Sequence, residues 1–337
     1  MSMSKDLDLW RFIAERLQHD RSVMLLVVAE SSGSSPGRAG YKMAVTADSE
    51  LYGSIGGGVM EVSLVEQAKA VMSEPGTVVT GFLIEQVHQK DVPNSSGMIC
   101  AGKQTVIFKL LRPQDADLVD SIVLAQGDRH PEMLFITPNE LGLRRHETGT
   151  PNFRFQKLDD DEFTYLESLG FKNHLYIVGG GHCALALSEL MSKLDFRISV
   201  LDDRPELNTL DKNHFADEVT VIDSYENIAE HIPQGDNIYA VVMTLGYVSD
   251  GIVIRQFIGK DLKYFGVLGS KAKMAALMKE LRAEGIDEER LSRIHTPIGV
   301  PINSRTPEEI AISIAAEIIA LKNDATLSRS LKEHQNR

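Results

Sequence analysis

The chain has 337 residues, 43% of them hydrophobic and 25% charged, and carries a formal net charge of −13. Single cores stop growing at roughly 250–300 residues, so this length implies two domains. The acidic balance excludes a broad nucleic-acid or anionic-lipid footprint, and no apolar run approaches the roughly 18 residues of a membrane span. Only Cys100 and Cys183 are present, which excludes a disulfide framework and a cysteine-rich zinc site.

The start, MSMSKDLDLWRFIAERL, reads as an amphipathic helix rather than a signal peptide, so a cytoplasmic protein is expected. SVMLLVVAE (22–30) is an apolar run of strand length, followed by the turn-rich SSGSSPGRAG and a second strand at YKMAVTA (41–47). After a hairpin turn at ADSE comes GGGVMEVSLVEQAKAVMSE. There Val59, Val62, Leu64, Val65, Ala68 and Met72 repeat near a period of 3.6, as in a helix with three glycines at its N-terminus. TVVTGFLI (77–84) and KQTVIFKLL (103–111) are further strands, with NSSGMICAG between them as a loop. A helix over 115–126 and a strand at EMLFIT (132–137) precede LRRHETGTPNFRFQKLDDDEF, polar and turn-rich, which reads as an interdomain linker from about 138. The expected boundary lies near residue 165, giving domains 1–165 and 166–337.

From His174 onward the pattern changes to HLYIV, FRISVLD, VTVI, NIYAVVMT and KYFGVL, with helices expected at 182–194, 225–231, 249–258 and 271–284. Strands alternating with helices predict a doubly wound parallel sheet. The final helix announces itself at SRTPEEIAISIAAEIIALKN: Thr306 as N-cap, Pro307 at the first helical position, and Glu309 placed to close a capping box. The fold class is therefore α/β, with a β-rich α/β domain preceding the doubly wound one.

In LYIVGGGHCALALSEL (175–190), Gly179 permits a tight turn, Gly181 lets backbone approach a pyrophosphate, and small Ala184 lets helix pack on strand. The helix N-terminus offers N–H groups and a positive dipole end, where His182 could touch a phosphate or cap the helix. Asp202 ends the next strand, where an acid can hydrogen-bond a ribose hydroxyl, and Arg204 beside it leaves NAD and NADP both open. No acid/base set for hydride transfer accompanies this turn: MTLGYVSD (243–250) offers only Thr244, Tyr247, Ser249 and Asp250. The ten histidines include no HxxxH pair, so a protein-held zinc or iron site is not expected.

In the first domain, Gly56, Gly57 and Gly58 put consecutive N–H groups at a helix start with Glu61 in its first turn, a nest able to hold an anion or simply a close packing contact. Ser34, Ser35, Arg38 and Lys42 could converge on the same anion or line a solvated hairpin loop. Cys100, between a loop and a strand, could be a metal or sulfur ligand or an inert thiol, whereas Cys183 reads as a small packing residue.

Five stretches together resemble one family, the XdhC/CoxI proteins: VVAESSGSSPGRAGYKMAVTADSELYGSIGGGVME, the cysteine of ICAGKQTVIF, LYIVGGGHCALALSELMSKLDFRISVLDDRPE, YFGVLGSKAKMAAL and IHTPIGVPINSRTPEEIAISIAAEIIA. The resemblance covers nearly the whole chain. It implies an N-terminal XdhC/CoxI domain and a C-terminal Rossmann domain. It also implies an accessory factor that binds molybdenum cofactor (molybdopterin) as cargo, protects it while a cysteine desulfurase-type sulfurase adds the sulfido ligand, and inserts it into an apo molybdenum hydroxylase such as xanthine dehydrogenase. That is a cofactor-binding chaperone with no catalytic residue of its own, expected as a homodimer. By position, Cys100 matches the family cysteine linked to cofactor binding, a molybdenum contact through the cargo, and Gly56, Gly57, Gly58 and Glu61 match its GGG-x-x-E segment. A soft thiolate suits molybdenum and a glycine nest suits the pterin phosphate. The chain departs from the family pattern at Cys100-Ala101-Gly102 for Cys-Gly-Gly, at a displaced Arg38, and at Thr244-Leu245-Gly246-Tyr247 for Thr-His-Asp-His. The alternative is an NAD(P)-dependent oxidoreductase built on Gly179, Gly181, His182 and Asp202.

Overall fold

The computed structural model describes residues 5–33, 35–74, 80–88, 102–126, 132–145, 153–159, 162–171 and 173–323. The chain divides into two compact units, one up to Gly170 and one from Phe171 onward.

In the first unit, α1 (Lys5–Gln18) leads into β1 (Val23–Gly33), β2 (Lys42–Thr46), β3 (Leu51–Gly53), α2 (Gly58–Ser73), β4 (Gly81–His88), β5 (Gly102–Leu111) and α3 (Ala116–Ala125). The strands form an antiparallel sheet in the order β3-β2-β1-β5-β4. Central β1 is buried along its first seven residues, which explains why SVMLLVVAE is continuously apolar instead of alternating. Met24, Leu26, Val28, Met43, Val106 and Phe108 meet α2 on one face. On the other, Leu25, Val27 and Ile107 join Trp10 and Ile13 of α1, Ile122 of α3 and a second sheet.

That second sheet corrects the expected linker. β6 (Glu132–Ile136), β7 (Leu141–Arg145), β8 (Phe153–Lys157) and β9 (Phe163–Ser168) pair in the order β7-β6-β9-β8. Phe153, Phe155, Phe163 and Tyr165 supply the apolar face that packs on the core, while Arg154, Gln156 and Lys157 keep the stretch polar in composition. A strand buried on one face needs only alternate apolar residues, so its average composition resembles a loop. Lys42 Nζ is buried in this layer, 2.7 Å from Asp6 Oδ2, 2.7 Å from Glu167 Oε2 and 3.0 Å from the Gly40 carbonyl, with the Tyr165 hydroxyl donating to the same Glu167 oxygen at 2.7 Å.

Helix α2 buries Met60, Leu64, Val65 and Ala68. Val59 and Val62, expected on the apolar face, are 67% and 62% exposed. At about 100° per residue they lie more than about 120° around the helix from Leu64, on the face away from the buried stripe, so the expected apolar stripe is too wide.

The second unit comprises β10 (Asn173–Val178), α4 (His182–Met191), β11 (Phe196–Asp202), α5 (Asn208–Asp211), β12 (Glu218–Val221), α6 (Ile228–His231), β13 (Gly235–Val242), α7 (Tyr247–Phe257), β14 (Leu262–Val267), α8 (Lys271–Ala283), α9 (Glu288–Leu291) and α10 (Pro307–Asn323). Its five strands are all parallel in the order β12-β11-β10-β13-β14. Helices α4 and α10 cover one face and α7 and α8 the other, as the alternation predicts. The capping box forms: Glu309 N–H donates to Thr306 Oγ1 at 3.3 Å and Thr306 N–H to Glu309 Oε2 at 3.2 Å. Further along α10, Glu317 Oε2 accepts from the Tyr264 hydroxyl at 2.6 Å and Gly299 N–H at 2.7 Å, pinning the helix to β14 and the preceding loop.

Candidate functional site

Each unit presents one of the sequence's glycine triplets at a helix start. In the first, two loops interlock: an ideal Cβ on Gly37 would lie 2.4 Å from the Ile55 carbonyl oxygen, and one on Gly56 2.5 Å from Gly37 N. These contacts are between backbones, so neither position tolerates a side chain. Ser35 Oγ donates to Gln104 Oε1 at 2.9 Å, Gln104 Nε2 to Gln86 Oε1 at 2.9 Å, and Gln86 Nε2 to the Met60 carbonyl at 3.2 Å. This chain of amides ties the serine-proline loop, β5, β4 and α2 together, and residue types alone did not disclose it. The expected convergence of Ser35 and Lys42 on one anion does not form: Ser35 serves Gln104, and Lys42 belongs to the buried Asp6 and Glu167 pair. Arg38 is exposed, and Ser34 lies outside the described residues.

Gly56, Gly57 and Gly58 have φ values of +130°, +73° and +72°, left-handed backbone that glycine adopts at least cost. The turn already holds an anion. Glu61 Oε2 accepts from Ser54 Oγ at 2.7 Å, Ile55 N–H at 2.8 Å and Gly57 N–H at 3.0 Å. The expected open nest is thus filled by a carboxylate one turn into α2, which also complements that helix's positive end.

Cys100 lies outside the described residues. Gly102, two positions later in sequence, starts β5 in register with Gly33 at the end of β1 and His88 at the end of β4. The serine-proline loop follows Gly33 in sequence, so it departs from the sheet at the strand end marked by Gly102.

In the second unit the glycine turn sits between β10 and β13, where the strand order reverses and open α/β sheets bind ligands. Gly179 has φ +106°, and a Cβ there would lie 2.4 Å from the Met243 carbonyl oxygen. Gly181 is the N-cap of α4 without a side-chain hydrogen bond, and a Cβ on it would meet nothing within 4 Å. Gly246, N-cap of α7 across the crevice, is likewise uncapped by a side chain and open. His182 is exposed at the start of α4, and Ala184 is buried against the sheet. Burial and the nearby Glu308 carboxylate push the Cys183 thiol up, and it packs at the edge of the core as expected.

Asp202 departs from its expected role. It is fully buried, and its oxygens accept from Gly180 N–H at 2.6 Å, Arg204 N–H at 2.9 Å, Arg204 Nε at 2.8 Å and Arg204 Nη2 at 2.7 Å. Burial alone would raise its carboxyl, but the Arg204 guanidinium and the Gly180 N–H outweigh that and hold it below the usual carboxylate range. An acid with four internal donors is committed to the turn rather than presented to a ribose. Asp250, also buried, is similarly engaged by Thr244 and Lys273, which removes it from the crevice's free acids. Among the described residues no helix is long and apolar enough to cross a membrane, and no group of three or more His, Cys, Asp or Glu is placed to hold a metal.

A parallel five-stranded sheet, glycine turn and switch-point crevice define the second unit as Rossmann-type. The family model described as the XdhC Rossmann domain matches residues 175–318, and that of the XdhC and CoxI family matches residues 16–81. The chain belongs to the XdhC/CoxI family. It is 23% identical over 300 residues to the uncharacterized protein YqeB of Escherichia coli strain K12, covering 88% of this chain but only 43% of that protein. It is 22% identical over 327 residues to a probable xanthine dehydrogenase subunit of Bacillus subtilis strain 168, covering 90% of this chain and 94% of that one. A crystal structure of a xanthine dehydrogenase from Bacillus halodurans superposes with a TM-score of 0.68 at 22% identity, over 96% of this chain and 97% of the other. At that identity the likeness establishes a shared fold.

Proposed function

We propose that this chain is an accessory protein of a xanthine dehydrogenase-type molybdenum hydroxylase, binding molybdenum cofactor, supporting its sulfuration by a cysteine desulfurase-type sulfurase and delivering it to the apo-enzyme. Family membership supports the accessory role, as does the name of the Bacillus subtilis relative. The observation that supports the cargo reading is the register of Gly33 and His88 with Gly102, because Cys100 lies two positions before Gly102 in sequence and the serine-proline loop follows Gly33. A cysteine thiolate is a suitable soft donor toward molybdenum. The Gly56–Gly58 turn does not fit the pterin phosphate, because Glu61 holds its Ile55 and Gly57 N–H groups. The oxidoreductase alternative loses the ribose ligand it needs, since Asp202 is bound by Arg204 and Gly180. What the second unit retains is an open helix N-terminus at Gly181 suited to a phosphate-bearing ligand. As a cytoplasmic homodimer, such a carrier would shield a labile cargo.

The test is anaerobic purification of the full chain from cells making the cofactor, with molybdopterin measured by fluorescence after oxidation and the partner hydroxylase assayed for activation. Cys100→Ala is expected to lower both retention and activation by about tenfold or more, a loss of about 1.4 kcal/mol or more in binding free energy. Full retention and undiminished activation in that variant would overturn the proposal.

A further inference from the structure

The glycine turn before α2 has the residues of an anion site, yet a residue of the chain itself fills it. Three donors converge on one oxygen of Glu61: Ser54 Oγ at 2.7 Å, Ile55 N–H at 2.8 Å and Gly57 N–H at 3.0 Å. Ser54 Oγ in turn accepts from Gly56 N–H at 3.2 Å, so Ser54, Ile55, Gly56, Gly57 and Glu61 share one hydrogen-bonded set. A second anion at these donors would lie against the Glu61 carboxylate, and like charges at that range repel. The backbone adds an independent reason for Glu61 to be there. Gly57 and Gly58 have open space around them, so only their positive φ values require glycine. Two flexible residues in open space need a tether to keep one conformation, and glycine gives up more freedom on ordering than any other residue. The next constraint along the loop is Gly56, locked against Gly37.

We infer that Glu61 is the turn's own anion: its carboxylate, rather than a ligand's phosphate, occupies the Ile55 and Gly57 N–H groups and fixes the loop against Gly37. Glu61 is then a positioning residue, and the phosphate of any cargo is held by other donors. The inference rests on hydrogen bonds within the first unit and stands whether or not the chain carries a molybdenum cofactor.

The test uses inorganic phosphate as probe and the full chain labelled with nitrogen-15, in wild type, Glu61→Ala and Glu61→Gln, following the amide signals of residues 55–58. In wild type these signals stay unmoved by phosphate. In Glu61→Ala they shift, with phosphate bound at least about tenfold more tightly, as expected when charge-assisted donors are freed. Glu61→Gln keeps a side-chain oxygen that can accept, so its Ile55 and Gly57 amides remain slow to exchange, as in wild type, and respond weakly to phosphate. The inference is overturned if phosphate moves the wild-type signals and Glu61→Ala weakens that response, or if freeing the donors in Glu61→Ala brings no phosphate binding. Should Glu61→Ala not fold, exchange decides: unprotected Ile55 and Gly57 amides in the wild-type chain contradict the inference, and protected amides in wild type and Glu61→Gln support it.

Discussion

Gly56–Gly58 and Gly179–Gly181 look alike in sequence, three glycines followed at once by a helix, but they are built differently. In the first turn all three residues have positive φ; in the second only Gly179 does, and Gly181 is an ordinary N-cap at φ −70°. The first turn receives its carboxylate from inside the following helix, at Glu61. The second receives one from the neighbouring strand, at Asp202, which brings Arg204 with it and leaves the start of α4 without a side-chain cap. Glycines thus license a turn without specifying what it turns around. The nearest carboxylate decides whether the exposed N–H groups are engaged internally or remain for a ligand.

Substitutions that probe the close approaches should have the largest effect. Gly179→Ala and Gly56→Ala each combine positive φ with a backbone clash at about 2.4–2.5 Å, so each is expected to cost at least about 3 kcal/mol in urea unfolding. A cost below about 1 kcal/mol at either site would show that the turn relaxes more freely than its geometry implies.

The strand feeding the second turn carries a pH response. His174, stacked on Tyr176 with ring centroids 3.9 Å apart and bonded through Nε2 to Ser199 Oγ at 2.9 Å, is pushed down to about 3 by burial and then by Arg197. Its unfolded value is about 6.5, so the unfolded chain binds the extra proton between those values. Stability contributed by the neutral ring is present above about pH 6.5 and lost as pH falls toward about 3, at up to about 1.4 kcal/mol per pH unit. Unfolding midpoints of the second unit at several pH values should fall more steeply with decreasing pH in the wild type than in His174→Gln, the difference being the contribution of the ring.

Asp202→Asn should come next, at about 2 kcal/mol, because it leaves Arg204 and the buried Gly180 N–H poorly paired. If Asp202 instead serves a ribose, the same variant will leave the melting temperature unchanged and lower nucleotide affinity. The smallest effect belongs to Gly181→Ala. With open space and a negative φ, it should change stability by no more than about 0.5 kcal/mol. Phosphate titration of this variant against wild type would then report on ligand access at α4 without a folding artefact.

Where local rules dominate, the sequence could be read directly. The alternation of strands and helices after His174 produced the parallel sheet, and Thr306, Pro307 and Glu309 produced the capped start of α10. These features depend on residues within a turn or two of one another. The second sheet of the first unit escaped because one-face burial leaves Phe153, Phe155 and Tyr165 diluted among polar neighbours. The exposed Val59 and Val62 mislead because apolar residue type counts for less than phase: at about 100° per residue both fall on the face away from Leu64.

By itself, the sequence determined that two glycine-rich helix starts exist, one in a β-rich α/β unit and one in a doubly wound unit, because glycine content, apolar period and capping are properties of short stretches. Tertiary structure decided what those helix starts hold. Lys42 is paired with Asp6 and Glu167 from 36 positions before it and 125 positions after it, and Asp202 reaches Gly180 from the neighbouring strand. A charged group's role depends on which opposite charge or N–H is nearest in space. That distance is fixed by strand order and packing, which no local run of residues encodes.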